Sequence, residues 1–326
     1  MSSFRPRHAD GRDVRAVHSS HGRVLLFRCP EKDLDVFLSV WDPITDEQWD
    51  LPVVPLPFTS GLFRSSNWAG TRPSSAPHIR CHFKVVCVGR SQRRNFSCFY
   101  SSEADSWSDP IFASDEGRTM GHFGYEFITG ACVHVGSAIY FLSGCNQEIF
   151  KYDLLTNQIS TICLRVAPGV GMEGMTTVLI ATEDGRLGVA KTSNSTLGSK
   201  LHLWIREHGR WEERRAIELR TLLPQDALRD PIFPPEAFAD KPWLAGFAEA
   251  GSGVIFFKTR VGYFAIDLSS GRSKNIGECL GWGCIIPYVS FCTPAPGAVS
   301  TDEGSGAGVV VFTDEGPGPG AGLSNG

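Results

Sequence analysis

One phrase recurs five times along this chain, and it constrains the fold more than any other feature. An aromatic or aliphatic strand end runs into an acidic or polar turn, and a new strand then opens on Trp or an aliphatic residue. The copies occupy residues 41–49, 100–107, 152–159, 204–211 and 266–273, and their first residues are 59, 52, 52 and 62 positions apart. A steady period of that size among short β-type segments predicts an all-β fold, a β-propeller with kelch-like blades of about 50 residues each. Such a scaffold is rigid, so function is expected in the loops it carries.

The third repeat is the clearest. Residues 131–135, 138–142, 148–152 and 158–162 read as four short strands with turn signals every 8 to 12 residues, the pattern of one blade. Strands are also expected at 21–27, 36–41 and 48–51, then at 82–89, 96–100 and 107–111. The fourth blade takes 177–181, 186–191, 201–206 and 211–217, followed by a helical turn or two at 218–223. The fifth takes 243–248, 254–258, 263–266 and 272–276. A lone strand at 285–291 is expected to complete a sixth blade with the N-terminal strands, because ring closure removes exposed edges. The organisation is therefore a flexible lead-in at 1–16, a propeller over 17–296, and a disordered Gly-rich tail at 297–326.

Composition narrows the function classes. The 326 residues, 42% hydrophobic and 20% charged, suffice for one large core. A net charge of −4 offers no basic field, so neither nucleic acid nor an anionic membrane is an expected partner. No run approaches the roughly 18 apolar residues of a membrane span. Residues 1–15 are polar and lack an apolar signal core, which points to the cytoplasm or nucleus. The ten cysteines have no close-paired spacing and mostly sit in apolar strand patterns, as small buried hydrophobes kept reduced.

Several pieces, in this order and spacing, resemble the F-box-associated β-propeller of the large plant F-box families, especially those of grasses. They are His21-Gly22-Arg23-Val24-Leu25-Leu26, Trp41-Asp42-Pro43-Ile44-Thr45, Tyr100-Ser101-Ser102-Glu103 with Trp107-Ser108, Leu201-His202-Leu203-Trp204, the run 211–219, the run 264–271, and the closing Pro287-Tyr288-Val289-Ser290-Phe291. The likeness covers roughly residues 17–295. It implies a substrate-recognition propeller of a cullin-RING (SCF) ubiquitin ligase, in which a separate helical F-box binds a Skp1-type adaptor. The residues ahead of the first strand carry no Leu-Pro opening and no amphipathic helical spacing, so adaptor binding is expected only of a longer form with an F-box. The alternatives are a carbohydrate- or small-molecule-binding propeller and a non-functional truncated family member.

No catalytic, cofactor or metal constellation is legible, and the chain is not expected to be an enzyme. His18 with His21, and His78 with His82, lack further ligands at matching spacing, and Cys279 with Cys284 lacks a second pair. There is no Gly-x-Ser-x-Gly elbow, and the Gly-rich run 169–174 lacks the Lys-Ser/Thr ending of a phosphate loop. Asp42, Asp105, Asp153 and Asp267 recur in the repeat, as expected for side chains that accept hydrogen bonds from turn backbone two residues on. Trp41, Trp49, Tyr100, Trp107, Tyr152, Trp204 and Trp211 are expected to pack between blades. The candidate partner-binding residues are loop aromatics and arginines: Phe63, Arg64, Trp68, Arg72, Phe123, Tyr125, Arg229, Phe233, Phe238 and Trp282. The expected partner is a protein substrate.

Overall fold

The computed structural model describes residues 14–20, 22–28, 37–55, 67–69, 82–91, 94–113, 132–143, 148–164, 177–195, 198–228, 242–248, 253–278, 284–289 and 307–312. The chain is a β-propeller. The first blade is β1 (Val14–Ser20), β2 (Arg23–Arg28), β3 (Phe37–Asp42) and β4 (Glu47–Asp50), paired in sequence order. The second is β5 (Asn67–Ala69), β6 (Lys84–Ser91), β7 (Arg94–Ser101) and β8 (Ser106–Trp107), with β9 (Ile111–Phe112) also on β7. The third is β10 (Val133–Val135), β11 (Ala138–Leu142), β12 (Glu148–Asp153) and β13 (Ile159–Cys163).

The fourth blade is β14 (Thr177–Ala181), β15 (Leu187–Ser195), β16 (Gly198–Glu207) and β17 (Arg210–Glu218), followed by 3₁₀ turns at Leu219–Thr221 and Gln225–Ala227. The fifth is β18 (Trp243–Phe247), β19 (Val254–Thr259), β20 (Gly262–Asp267) and β21 (Ser273–Gly277). A two-stranded sheet, β22 (Cys284–Val289) with β23 (Ala307–Phe312), follows. The first strands form the inner ring: β1 touches β5 and β22, β10 touches β14, and β18 touches both β14 and β22.

Burial follows radius. Middle strands such as β2 and β20 are covered on both faces by neighbouring blades, whereas β17 at the rim is almost wholly exposed. Each blade interface holds its own apolar layer. Leu38, Val40, Val85 and Tyr100 join blades one and two. Val86, Phe141 and Tyr152 join two and three, Leu142, Leu179 and Val189 join three and four, and Leu201, Ile217, Phe257 and Ile266 join four and five. At about 1.5–3 kcal/mol per fully buried large side chain, these layers are the main favourable term.

The repeated phrase is a four-residue turn with a defined chemistry. Trp41 Nε1–H donates to Asp46 (3.0 Å), Tyr100 O–H to Asp105 (2.7 Å) and Tyr152 O–H to Asn157 (2.8 Å). The acceptors sit at φ 58°, 49° and 55°, in the left-handed region that Asp and Asn tolerate better than most residues. In the fifth blade the donor position is Ile266, and the left-handed position is Gly271 at φ 68°. The fourth blade replaces this turn by the two-residue His208-Gly209 at φ 48° and 80°, a type I′ hairpin. The turns open on Asp42, Asp153 and Asp267, each of which accepts from the backbone N–H two residues on at 2.8–3.0 Å, as expected of an Asx turn. Asp105 is not one of these openers. Ser101 holds that place in the second blade, and Asp105 is the left-handed acceptor.

Five further expectations are corrected. The first blade is complete in itself, because Val14–Ser20 forms its inner strand through a tight turn at Gly22 (φ 73°), so part of the expected lead-in is strand. A local hairpin costs little closure entropy, so it outcompetes pairing with a distant segment. Consequently β22 pairs with β23 and not with the N-terminal strands, and 307–312 of the Gly-rich tail is strand. The run Ala307–Phe312 carries three consecutive valines, good strand formers within a Gly-rich composition. The inner strand of blade two, Asn67–Ala69, contains Trp68, a residue expected in a loop. Finally, Cys87, Cys98 and Cys132 are buried free thiols, but Cys163 on the rim strand β13 is exposed.

Candidate functional site

The antiparallel strand order gives the ring two different ends. The finish of each fourth strand and the start of each following first strand share one end, the connection end. The tight turns between first and second strands, and between third and fourth, share the other. Of the sequence-chosen residues, Phe63 and Arg64 belong to the chain joining β4 to β5, Phe123 and Tyr125 to that joining β9 to β10, and Arg229, Phe233 and Phe238 to that following the 3₁₀ turns. Trp282 falls in sequence between β21 and β22. Arg72 falls in sequence between β5 and β6, while Trp68 is in β5 with its backbone opposite Cys87. The side chains of all ten lie outside the described residues.

Two large apolar side chains that sequence reasoning did not single out are exposed at the connection end. Trp243, the first residue of inner strand β18, is 46% exposed, and Val53, just past β4, is 44% exposed. At the opposite end Ile44 and Leu155 are exposed two residues after Asp42 and Asp153, so the Asx turn itself points them outward on separate blades.

A polar line also lies near the connection end, on the long hairpin of blade four. Ser193 Oγ is 2.7 Å from Nε2 of His202, and Nδ1 of His202 is 2.5 Å from Oε1 of Glu213. A carboxylate only accepts, so Nδ1 carries a proton, and in the neutral imidazole Nε2 then accepts from the serine hydroxyl. Lys191 sits directly opposite His202 and two residues from Ser193 on the same face. Burial of its half-covered ammonium pulls its pKa below the usual lysine value. Lys200, opposite Ser193, is paired with Glu218 at 3.1 Å.

Glu213 reaches this face because of a bulge. The register slips between Leu203 and Trp204, so Glu213 opposes Trp204 rather than Ile205 and falls on the face of His202. No sequence signal marks that slip.

Elsewhere, a cavity of about 310 Å³ between blades four and five is walled by Ile180, Ala181, Leu203, Phe247 and Leu268, with Arg215 at its edge. Arg215 donates to the Leu268 carbonyl at 2.7 Å, and so ties the two blades. His18 and Cys132 touch in the interior, with both ring nitrogens 3.5–3.6 Å from the sulfur. Among the described residues no three His, Cys, Asp or Glu side chains gather as a metal site, and the buried polar residues include no carboxylate. No helix among them is long and apolar enough to cross a membrane.

The seven blade-end aromatics are structural. Tyr100, Trp49 and Trp107 pack into the layer between blades one and two, Tyr152 into the next, and Trp204 and Trp211 into the third, while Trp41 is buried. Trp107 and Trp211 also donate to carbonyls of the preceding blade, Pro52 and Cys163, at 2.8 and 3.4 Å.

No protein-family profile matches the chain, and no curated protein matches it. Among solved structures it is similar to a prolyl endopeptidase (11% identity, TM-score 0.37, covering 82% of this chain and 35% of that one). It is also similar to TolB from Acinetobacter baumannii (11%, 0.35, covering 85% and 73%) and to the Dos1 propeller (10%, 0.42, covering 85% and 63%). The chain thus spans about a third of the prolyl endopeptidase. The strand order, rather than these likenesses, identifies the propeller.

Proposed function

We propose that this chain is a protein-recognition propeller of the F-box-associated kind, which holds a protein substrate for a cullin-RING ubiquitin ligase in the cytoplasm or nucleus. The supporting observation is Trp243, a large aromatic exposed at the connection end of the inner ring. Eight of the loop aromatics and arginines expected from sequence fall between the last strand of one blade and the next strand in sequence. Tryptophan and arginine dominate binding hot spots, and an exposed tryptophan on a rigid ring suits a folded or extended protein partner. Engagement of a Skp1-type adaptor belongs to a form that carries an F-box as well as the propeller.

The test is affinity capture with the tagged chain and with Trp243→Ala, followed by identification of the retained proteins and probing for the adaptor. The wild-type chain is expected to retain a substrate protein that Trp243→Ala loses, with unchanged thermal unfolding, and to retain the adaptor only when an F-box is fused. Identical retention by both proteins, or none by either, would sink the proposal.

A further inference from the structure

The geometry points to a nucleophilic serine on blade four: we propose that Ser193, with His202 as general base and Glu213 orienting it, hydrolyses small acyl esters by way of an acyl-serine. This goes beyond substrate recognition and does not depend on it.

The arrangement meets the requirements of such a site in order. The hydroxyl is 2.7 Å from Nε2, within reach for direct proton transfer. The opposite ring nitrogen is held by a carboxylate at 2.5 Å, which selects the tautomer that leaves Nε2 basic. The three groups come from three adjacent strands of one sheet, where paired backbone keeps their spacing. Backbone N–H groups of paired strands lie in the plane of the sheet and not on the face that carries the Ser193 side chain, so a side chain must steady the oxyanion. Lys191 is placed for that role. It is half-buried, shares the face, lies about 7 Å along the strand from Ser193 by strand rise, and its ammonium has no hydrogen bond or ion pair among the described residues. The lowered basicity of its ammonium reports the partial desolvation that strengthens its attraction for negative charge. Trp204, on the same face and partly buried, supplies an apolar wall.

The steps balance. Ser193 Oγ bonds to the ester carbonyl carbon as its proton passes to His202 Nε2, and the carbonyl electron pair becomes an oxyanion facing Lys191. Collapse re-forms the carbonyl and breaks the bond to the alcohol oxygen, which takes the proton from His202. Water then repeats the sequence on the acyl-serine, releases the carboxylic acid and restores the serine hydroxyl. Ester and water give acid and alcohol, with no redox partner.

The experiment labels the full chain with a fluorophosphonate, which loses fluoride to a nucleophilic serine, and locates the adduct by peptide mass spectrometry. Hydrolysis of p-nitrophenyl butyrate is followed in parallel. The adduct is expected on Ser193, absent in Ser193→Ala, and formed about 100-fold or more slowly in His202→Gln. Lys191→Met is expected to slow ester turnover while leaving unfolding unchanged. Because the wild-type chain is mapped directly, a variant that fails to fold does not protect the proposal. An unlabelled Ser193 under conditions that fully label a known serine esterase, or an adduct on other serines only, overturns it.

Discussion

The left-handed acceptor of the third blade offers a quantitative test of how the repeat is held. Asn157 sits at φ 55°, and its side-chain oxygen accepts from the hydroxyl of Tyr152, whose ring is fully buried. Asn157→Ala removes the acceptor and places a Cβ-bearing residue without a local hydrogen bond in the left-handed region, which costs about 1–2 kcal/mol. The Tyr152 hydroxyl then loses its partner, for roughly another 1–3 kcal/mol. Asn157→Gly pays the hydrogen-bond loss but not the backbone strain, partly offset by about 0.4–1 kcal/mol of extra unfolded-chain entropy. Glycine should therefore be milder than alanine by about 1 kcal/mol.

Tyr152→Phe removes the donor instead and costs about 0.5–1.5 kcal/mol, since the freed Asn157 oxygen is half-exposed and reaches water. The double variant Tyr152→Phe with Asn157→Gly should fall short of the summed single losses by about 1 kcal/mol. Urea midpoints followed by tryptophan fluorescence measure the wild type and all four variants. Alanine no worse than glycine would refute the role of the left-handed backbone, and strict additivity would refute the shared hydrogen bond.

Two further outcomes are expected. Burial, then the neighbouring Asp105, pushes Tyr100 up to about 12. Its stabilising contribution is therefore complete below the unfolded tyrosine value near 10 and is lost as pH rises through about 12, an alkaline loss that Tyr100→Phe should lessen in pH-resolved melting curves. Gly188→Ala would place a Cβ 2.6 Å from the Ile180 side chain and 2.9 Å from the backbone oxygen of Trp204. The carbonyl cannot swing away without disturbing the β15–β16 ladder, so a loss of about 1–3 kcal/mol is expected, and an unchanged melting temperature would contradict that packing.

Much of the ring was legible in the chain itself. Turn chemistry is local: Asp42, Asp153 and Asp267 accept from backbone two residues away, and Asp46, Asp105 and Asn157 from an aromatic five residues back. Contacts so close in sequence print the period directly, and they announced five blades and the packing of their aromatics. The short inner strand Asn67–Ala69 was missed because three residues carry no alternation to detect. Only the tertiary structure decided how the ring closes, since β22 has one edge for β23 and a neighbour in β1 that strand propensity cannot rank. The line from Ser193 through His202 to Glu213 was equally hidden. Its members are 9 and 11 residues apart on successive strands, and they share a face only because one bulged residue shifts the register between β16 and β17. A side chain's face changes with a slip of one position, and that slip is set by the packing of the whole blade.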